Sequence, residues 1–449
     1  MPITKTLVYS LVLMQTSDLY HHFLAQLQPL LNAQQSSFSV ALSGGVDSVV
    51  LLHLIKQAQQ QHSELKIEAV YVNHGLSKYA DKWQGFCQSL CEELDVAFKA
   101  VHVEIYERSR TSLEAQAREA RYQALDENCI PGSVILLGQH LNDQLETFLL
   151  RLKRGSGLQG LASMPQTRLL ASGRVCFRPL INITREQIEQ FASEFAITHI
   201  TDDSNVDERF DRNFLRHQVL PILTERFQGF EKSAARSIRL LQKQQSLLDE
   251  YTQSDLTNCQ NSQGGLSCDA IAGFSKPRQA NLVRAWLNQF THQLPSENQL
   301  QQIIEQGLTA KTDAQLKICL QSGDVRRHQQ HWYFVKEQAI PEAMDIALQS
   351  VELIGGRKLI VKAGKGIRQP KPDEQVRVEF NMPQARIKPL HKPGSNTLKH
   401  WFKDAKVAPW LRAQTPLIFY NDQLVQVVGY FISEQHSVED GILWEILYE

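Results

Sequence analysis

The stretch FSVALSGGVDSVVLLHL, residues 38–54, decides how the first half of the chain folds. Phe38 to Leu42 is short, apolar and bounded by glycines, as expected of a buried strand, while Val46, Val49, Val50 and Leu54 recur at helical spacing. The segment therefore reads as strand, tight turn, helix. Gly44 and Gly45 let backbone N–H groups approach a ligand closely at the partially positive start of the helix, which makes the turn an anion site. A surface turn capped by Asp47 or Ser48 explains a lone glycine pair, but less well one set between such a strand and such a helix. A nucleoside-triphosphatase P-loop needs G-x-x-x-x-G-K-[ST], and the first lysine after this turn is Lys56.

Ser43, Gly44, Gly45, Asp47 and Ser48 resemble the SGGxDS loop of the N-type ATP pyrophosphatases, which cleave ATP between its α and β phosphates. The resemblance implies that residues 43–48, Val46 included, hold the pyrophosphate part of ATP and that Asp47 binds magnesium. A loop offering N–H groups and a hard carboxylate in place of a lysine suits that task.

Beyond the turn, IEAVYVNHGL and VAFKAVHVEI read as strands, with a helical pattern from Lys78 to Glu93 between them; SLEAQAREARYQALDEN reads as a helix and SVILLGQH as a strand. This alternation predicts an α/β domain: a parallel sheet with helices on both faces, its ligands at the carboxyl ends of the strands, where His74 and His140 also fall. Asp143 and Glu146 lie three apart near the start of the helix HLNDQLETFLLRLKRGSG, and Arg151, Lys153 and Arg154 lead from its end into a glycine-containing loop suited to a polyanion. Arg118 and Arg121 share a helix face, placed to meet ATP or RNA phosphates.

The order SGGVDS, NHGL, AREARY, HLNDQLETFLLRLKRGSG, RPL, DDSNVDERFDRN resembles the bacterial tRNA(Ile)-lysidine synthetase family over about the first 225 residues, and GSNTLKHWFKDAKVAPWLRAQTPLIFY resembles that family's C-terminal domain. The resemblance implies an enzyme of the cytoplasm that adenylates the wobble cytidine of an isoleucine tRNA with a CAU anticodon and joins L-lysine to carbon 2 of the base, giving lysidine, AMP and pyrophosphate. Decoding then changes from AUG to AUA and charging from methionine to isoleucine. ATP as substrate, magnesium, the tRNA and lysine are the implied ligands; neither a membrane nor a protein partner is implied. The expected roles are Asp47, Asp143 and Arg118 in catalysis, Asp47 and Asp143 on the metal, and residues 43–48 with His74 and His140 on ATP. Arg121, Arg151, Lys153, Arg154, Arg212, Arg216, Lys399, Lys403, Lys406 and Arg412 are expected on the tRNA. Where the family has two consecutive aspartates after the histidine, this chain has Asn142 and Asp143; Asn142 is read as a helix cap and Asp143 as the functional charge.

The 449 residues allow about three domains, expected as a catalytic domain over 1–225, a helical, Gln-rich middle over 226–340 and a small basic α+β domain over 341–449. Linkers are expected at KEQAIPEAM and KPLHKPGSN. The net charge of −1 hides an uneven distribution: residues 355–412 carry fourteen Lys/Arg against four Asp/Glu, as a nucleic-acid-binding region does. Trp401, Phe402 and Trp410, interleaved with that charge, are read as core rings. Seven cysteines without C-x-x-C fit reduced thiols and argue against the tRNA sulfur transferases that share the loop. A small-molecule pyrophosphatase would leave the basic tail unexplained, and a noncatalytic tRNA-binding protein with a relict loop would release no pyrophosphate. The apolar stretch near the start is too short to span a bilayer, and Met14 is an alternative start.

Overall fold

In the computed structural model, the described residues are 17–75, 77, 79–104, 113–201, 208–291, 294–309, 316–353 and 356–448. Met14 and the acids of DDSNVD lie outside them. The chain divides into two compact units, Met1–Asp249 and Glu250–Glu449.

The first unit is built on β1 (Ser37–Ala41), β2 (Lys66–Asn73), β3 (Ala97–His102), β4 (Val134–Leu136), β5 (Thr167–Leu169) and β6 (Val175–Phe177), in the order β3-β2-β1-β4-β6-β5. All neighbours are parallel except β5, which pairs antiparallel with β6 through a turn containing Gly173. That hairpin edge is the one departure from the expected parallel sheet, and its three-residue strands are too short to carry a periodic signal.

Helices cover both faces. α1 (Asp18–Asn32), α2 (Val46–Gln61), α3 (Ala80–Glu93) and, later in the chain, Arg185–Glu194 pack on one face, with Phe38, Val40, Val49, Leu52, Ile188 and Phe191 at the centre of the core. α4 (Leu113–Asn128) covers the other, through Tyr122, Leu125 and Cys129 against Ile135, Leu137 and Cys176. Cys87 and Cys91 belong to the first core, and burial pushes both thiols up to about 12. They are packing residues.

Strands 1 to 3 step outward on one side of β1 while β4 lies on the other, so the chain reverses direction between β1 and β4. In open parallel sheets that reversal leaves a crevice beyond the strand ends. The helices that follow these two strands, α2 and α5 (Leu141–Lys153), both begin there.

In the second unit, helices Lys276–Asn288 and Glu297–Thr309 bury Leu282, Trp286, Leu300 and Ile303 against Val325 and Trp332 of a four-stranded antiparallel sheet (strands within residues 266–335). Helical periodicity in 226–309 was legible; this sheet of short strands was not. Residues 344–448 form a five-stranded and a three-stranded antiparallel sheet, with Trp401 and Phe402 buried in a core beside them. Trp410 is only half-buried and lies against His328 and Tyr333. KPLHKPGSN is a loop rather than a linker, because Arg386–Ile387 and Asn396–Thr397 pair antiparallel across it.

Candidate active site

Gly44 turns the chain out of β1 with φ +86°, and a Cβ there would come within 2.7 Å of Ile200 Cδ1. The turn is tied internally: the Ser43 N–H donates to Ser48 Oγ (3.1 Å), and the Ser48 hydroxyl donates to the Gly45 carbonyl (2.9 Å). Gly45 is the N-cap of α2 and makes no side-chain cap, so the helix start faces the crevice with Asp47 in its first turn. Gly138, in the loop after β4, would place a Cβ 3.0 Å from the Asp47 main chain. Glycine there lets the two strand-end loops close on each other.

His140 is the N-cap of α5, and its main-chain N–H donates to Asp143 Oδ2 (3.1 Å). The buried His140 ring brings the two expected carboxylates together: its Nε2 lies 3.7 Å from Asp47 Oδ1 and 3.5 Å from Asp143 Oδ2. Arg185 Nη1 holds Asp47 Oδ2 at 2.7 Å. Burial raises the Asp47 carboxyl above its ordinary range despite the attraction of His140 and Arg185. Burial also opposes the charge of Asp143, but His140, Arg212, the main-chain N–H and Arg216 hold its carboxyl below the usual range.

Arg216 reaches Asp143 Oδ1 (3.4 Å) and Glu146 Oε1 (2.7 Å), and Arg212 reaches Glu146 Oε2 (2.9 Å). Glu146 is wholly buried, and burial together with Asp143 raises its carboxyl. Arg212 belongs to the short helix α8, which follows α6 (Leu158–Leu161) and α7 (Arg185–Glu194) and covers Asp211–Phe214; Arg216 is in a widened π turn, Leu215–Val219. Such turns recur at functional sites. Both arginines, expected on the tRNA, spend their guanidinium groups on the acids of α5.

These groups open on a cleft of about 520 Å³ lined by Ser43, Gly45, Asp47, His74, Arg121, Asp143, Arg185 and Arg216, with Trp83, Leu125 and Ile200 as apolar walls. Burial and Arg121 lower the pKa of His74, disfavouring the charged form of its imidazole. Arg118, Arg121 and Arg168 surround the Tyr122 ring, and Arg178, itself buried, donates to the Tyr122 hydroxyl (3.1 Å) and to the carbonyl of Pro165 (2.8 Å). Burial and the neighbouring arginines lower the pKa of Arg118, against Tyr122. This is a strongly electropositive wall next to the cleft.

The remaining expected residues lie elsewhere. Arg151 and Arg154 are exposed at the end of α5, and Lys153 pairs with Asp211 (2.8 Å). In the second unit Lys399, Lys403 and Lys406 are exposed, whereas Arg412 spends two donors on the Val407 carbonyl (3.0 and 2.9 Å). Three cations of 355–412 pair with acids distant in sequence: Lys362 with Glu445, Lys365 with Glu439 and Lys388 with Glu434.

Asn142 does not cap its own helix. Its Oδ1 accepts from the Arg185 N–H at the start of α7 (2.9 Å), and its Nδ2 donates to Glu231 (3.0 Å). Sequence reading missed Arg185, the direct partner of Asp47, since 138 residues separate them and nothing local marks it. Glu146 and Arg178 stood in quoted motifs, but only their burial reveals what they hold.

Asp47 Oδ1 is buried without a hydrogen-bond partner, and Asp143 faces it across His140. No group of three or more His, Cys, Asp or Glu side chains forms a metal cage among the described residues. Two carboxylates suit magnesium, which takes few protein ligands and completes its shell with water and phosphate oxygens.

The sheet, its reversal point and the SGGVDS turn define a PP-loop ATPase, and residues 19–223 match the PP-loop domain family. Residues 266–333 match the TilS substrate binding domain and 376–446 the TilS substrate C-terminal domain. The tRNA(Ile)-lysidine synthase of Pectobacterium atrosepticum is 38% identical over 92% of this chain and 94% of its own length. That of Photobacterium profundum is 39% identical over 90% and 94%, and that of Escherichia coli O157:H7 37% over 89% and 93%. The chain belongs to the tRNA(Ile)-lysidine synthase family and is an enzyme.

The position of Arg185 gives a pH prediction. A cation-binding Asp47 must be ionised, so activity is expected to fall as pH drops through its pKa, which Arg185 pulls down. Arg185→Gln is expected to move the acid limb of kcat/KM for pyrophosphate release to higher pH. A limb that stays in place would remove Arg185 from control of Asp47.

Proposed function

We propose that the chain joins L-lysine to carbon 2 of the wobble cytidine in the CAU anticodon of an isoleucine tRNA. The cytidine carbonyl oxygen attacks the α phosphorus of ATP and pyrophosphate leaves; the lysine ε-amine then adds at carbon 2, and AMP departs with that oxygen. Decoding passes from AUG to AUA and charging from methionine to isoleucine. The observation that carries the reading is the convergence of the SGGVDS turn, Asp47 and Asp143 on one cleft, in a chain collinear with lysidine synthases.

Backbone N–H groups of residues 43–48 bind the pyrophosphate portion, with His74 and His140 beside it. Asp47 and Asp143 hold magnesium, which supplies charge neutralisation on the phosphates. Arg118 and Arg121 offer positive charge to ATP or RNA phosphates. Glu146 fixes Arg212 and Arg216, and these keep Asp143 charged. Phe210 and Phe214, one turn apart and about half exposed on the segment that carries Arg212, offer ring faces to an extruded base. We assign catalysis to 1–225, substrate binding to 226–340 and tRNA binding to 341–449. The unpaired cysteines fit a reducing cytoplasm, and no described helix is long and apolar enough to cross a membrane.

Mass spectrometry of nucleosides from the unmodified tRNA, incubated with the protein, ATP and lysine, tests the reading: lysidine is expected, and its absence with pyrophosphate release intact would point to another acceptor. Lys399, Lys403 and Lys406 are expected to contact phosphates. Neutralising all three lowers the slope of log affinity against log salt by up to about three, and an unchanged slope would place the contact elsewhere.

A further inference from the structure

A second cavity, of about 330 Å³, lies in the first unit on the other side of the first turn of α5. Leu141 and Gln144 of that turn line it, while Asp143 of the same turn lines the ATP cleft. Its other walls are Ile181, Asn182 and the helix α10 (Phe230–Cys259, following α9, Leu220–Arg226), which contributes Ala235, Ile238, Arg239, Gln242, Lys243 and Ser246. The lining is apolar surface, side-chain amides and two cations, with no acid. The volume is at the lower end for small-ligand sites.

The two cations belong to a longer row. Lys232, Arg236, Arg239 and Lys243 recur at intervals of four, three and four, which puts them on one face of α10. All four are exposed, none forms an ion pair among the described residues, and no acid occurs in the sequence from Lys232 to Leu248. The row spans about 16 Å, or about five nucleotide rises of a stacked strand. A solvated helix face normally alternates its signs; an unbroken cationic row beside an amide-lined cavity is matched to a phosphate backbone carrying a base.

We propose that this row and cavity form a second RNA subsite, which takes an unpaired nucleotide near the modified one. The base enters between Leu141, Ile181 and the amides, and the phosphates on either side run along Lys232, Arg236, Arg239 and Lys243. The first turn of α5 is the partition between the two nucleotides, so seating the neighbour fixes how far the reacting base extends into the ATP cleft. The inference rests on the reaction proposed above and adds a surface to it.

The test uses the full chain and an unmodified transcript of isoleucine tRNA with a CAU anticodon. Arg239→Gln with Lys243→Gln is expected to lower the slope of log affinity against log salt by about 1.5 and weaken binding at least tenfold, with ATP affinity and melting temperature unchanged. Asn182→Trp, which fills the cavity without altering charge, is expected to raise KM for the tRNA at least fivefold and leave the slope as in the parent. Unchanged slope and affinity in the charge variant overturn the row; an unchanged KM in Asn182→Trp overturns the cavity. Failure of the parent protein to make lysidine counts against the proposed reaction alone, because the slope is read from binding.

Discussion

Asp47→Ala is expected to abolish pyrophosphate release while leaving tRNA affinity within a few-fold. Asp47 stands in the first turn of α2, held by Arg185 on one oxygen, with the other oxygen buried and unpartnered. An acid kept in that state is ready for a cation and contributes little as it stands, since its burial opposes its own charge. Removing it takes away the carboxylate beside the glycine turn and leaves Arg185 paired with Glu189 alone. Loss of a metal-assisted step removes several kcal/mol of transition-state stabilisation, far more than the loss of one phosphate contact. The measurements are pyrophosphate release with ATP and tRNA, and tRNA binding alone. Near-normal release would remove Asp47 from the site; equal losses in both would make the residue structural.

Asp143→Asn is expected to lower lysidine formation at least about a hundredfold, and Asn142→Asp to leave it within a few-fold. The two positions are adjacent, yet their surroundings differ. Asp143 is next to His140 and Arg216 at the cleft, and its carboxylate is held ionised there. Asn142 bridges Arg185 and Glu231, using its acceptor on one and its donor on the other. An aspartate at 142 keeps the acceptor but sets a second carboxylate against Glu231, which costs stability and adds no charge at the cleft. Steady-state turnover of both variants across a magnesium titration separates the cases. A large gain from Asn142→Asp, or indifference to Asp143→Asn, would transfer the functional charge to position 142.

The elements around the cleft were legible because each has its own local signal. β3 falls within an apolar run read as a strand and β2 does so but for Lys66, α3 and α4 fall within the helical patterns, and α5 follows its N-cap His140 as its acidic first turn implies. The glycine turn was legible for the same reason: its geometry depends on residues a few positions apart. Charges at the end of the chain were less so. A count over 355–412 gives a strong positive excess, but Glu434, Glu439 and Glu445 return to it through strand pairing and neighbouring loops, and Arg412 turns inward on a carbonyl.

The sequence by itself determined the parallel α/β architecture, the strand–turn–helix at its glycine turn, and the two carboxylates, since periodicity, glycine conformation and residue chemistry act within a few residues of chain. Only the tertiary structure decided which cations face those carboxylates. Arg185 meets Asp47, Arg212 and Arg216 meet Glu146 and Asp143, and Asn142 joins α7 to Glu231 across separations of 43 to 138 residues. Ion pairs of that reach have no sequence period, because they depend on how β1 and β4 diverge and which helix starts meet beyond them. Burial pushes both carboxyls up, and it prevails at Asp47, whereas at Asp143 the charges of His140, Arg212 and Arg216 and the His140 main-chain N–H prevail; the sequence alone presents the two carboxylates as equivalent.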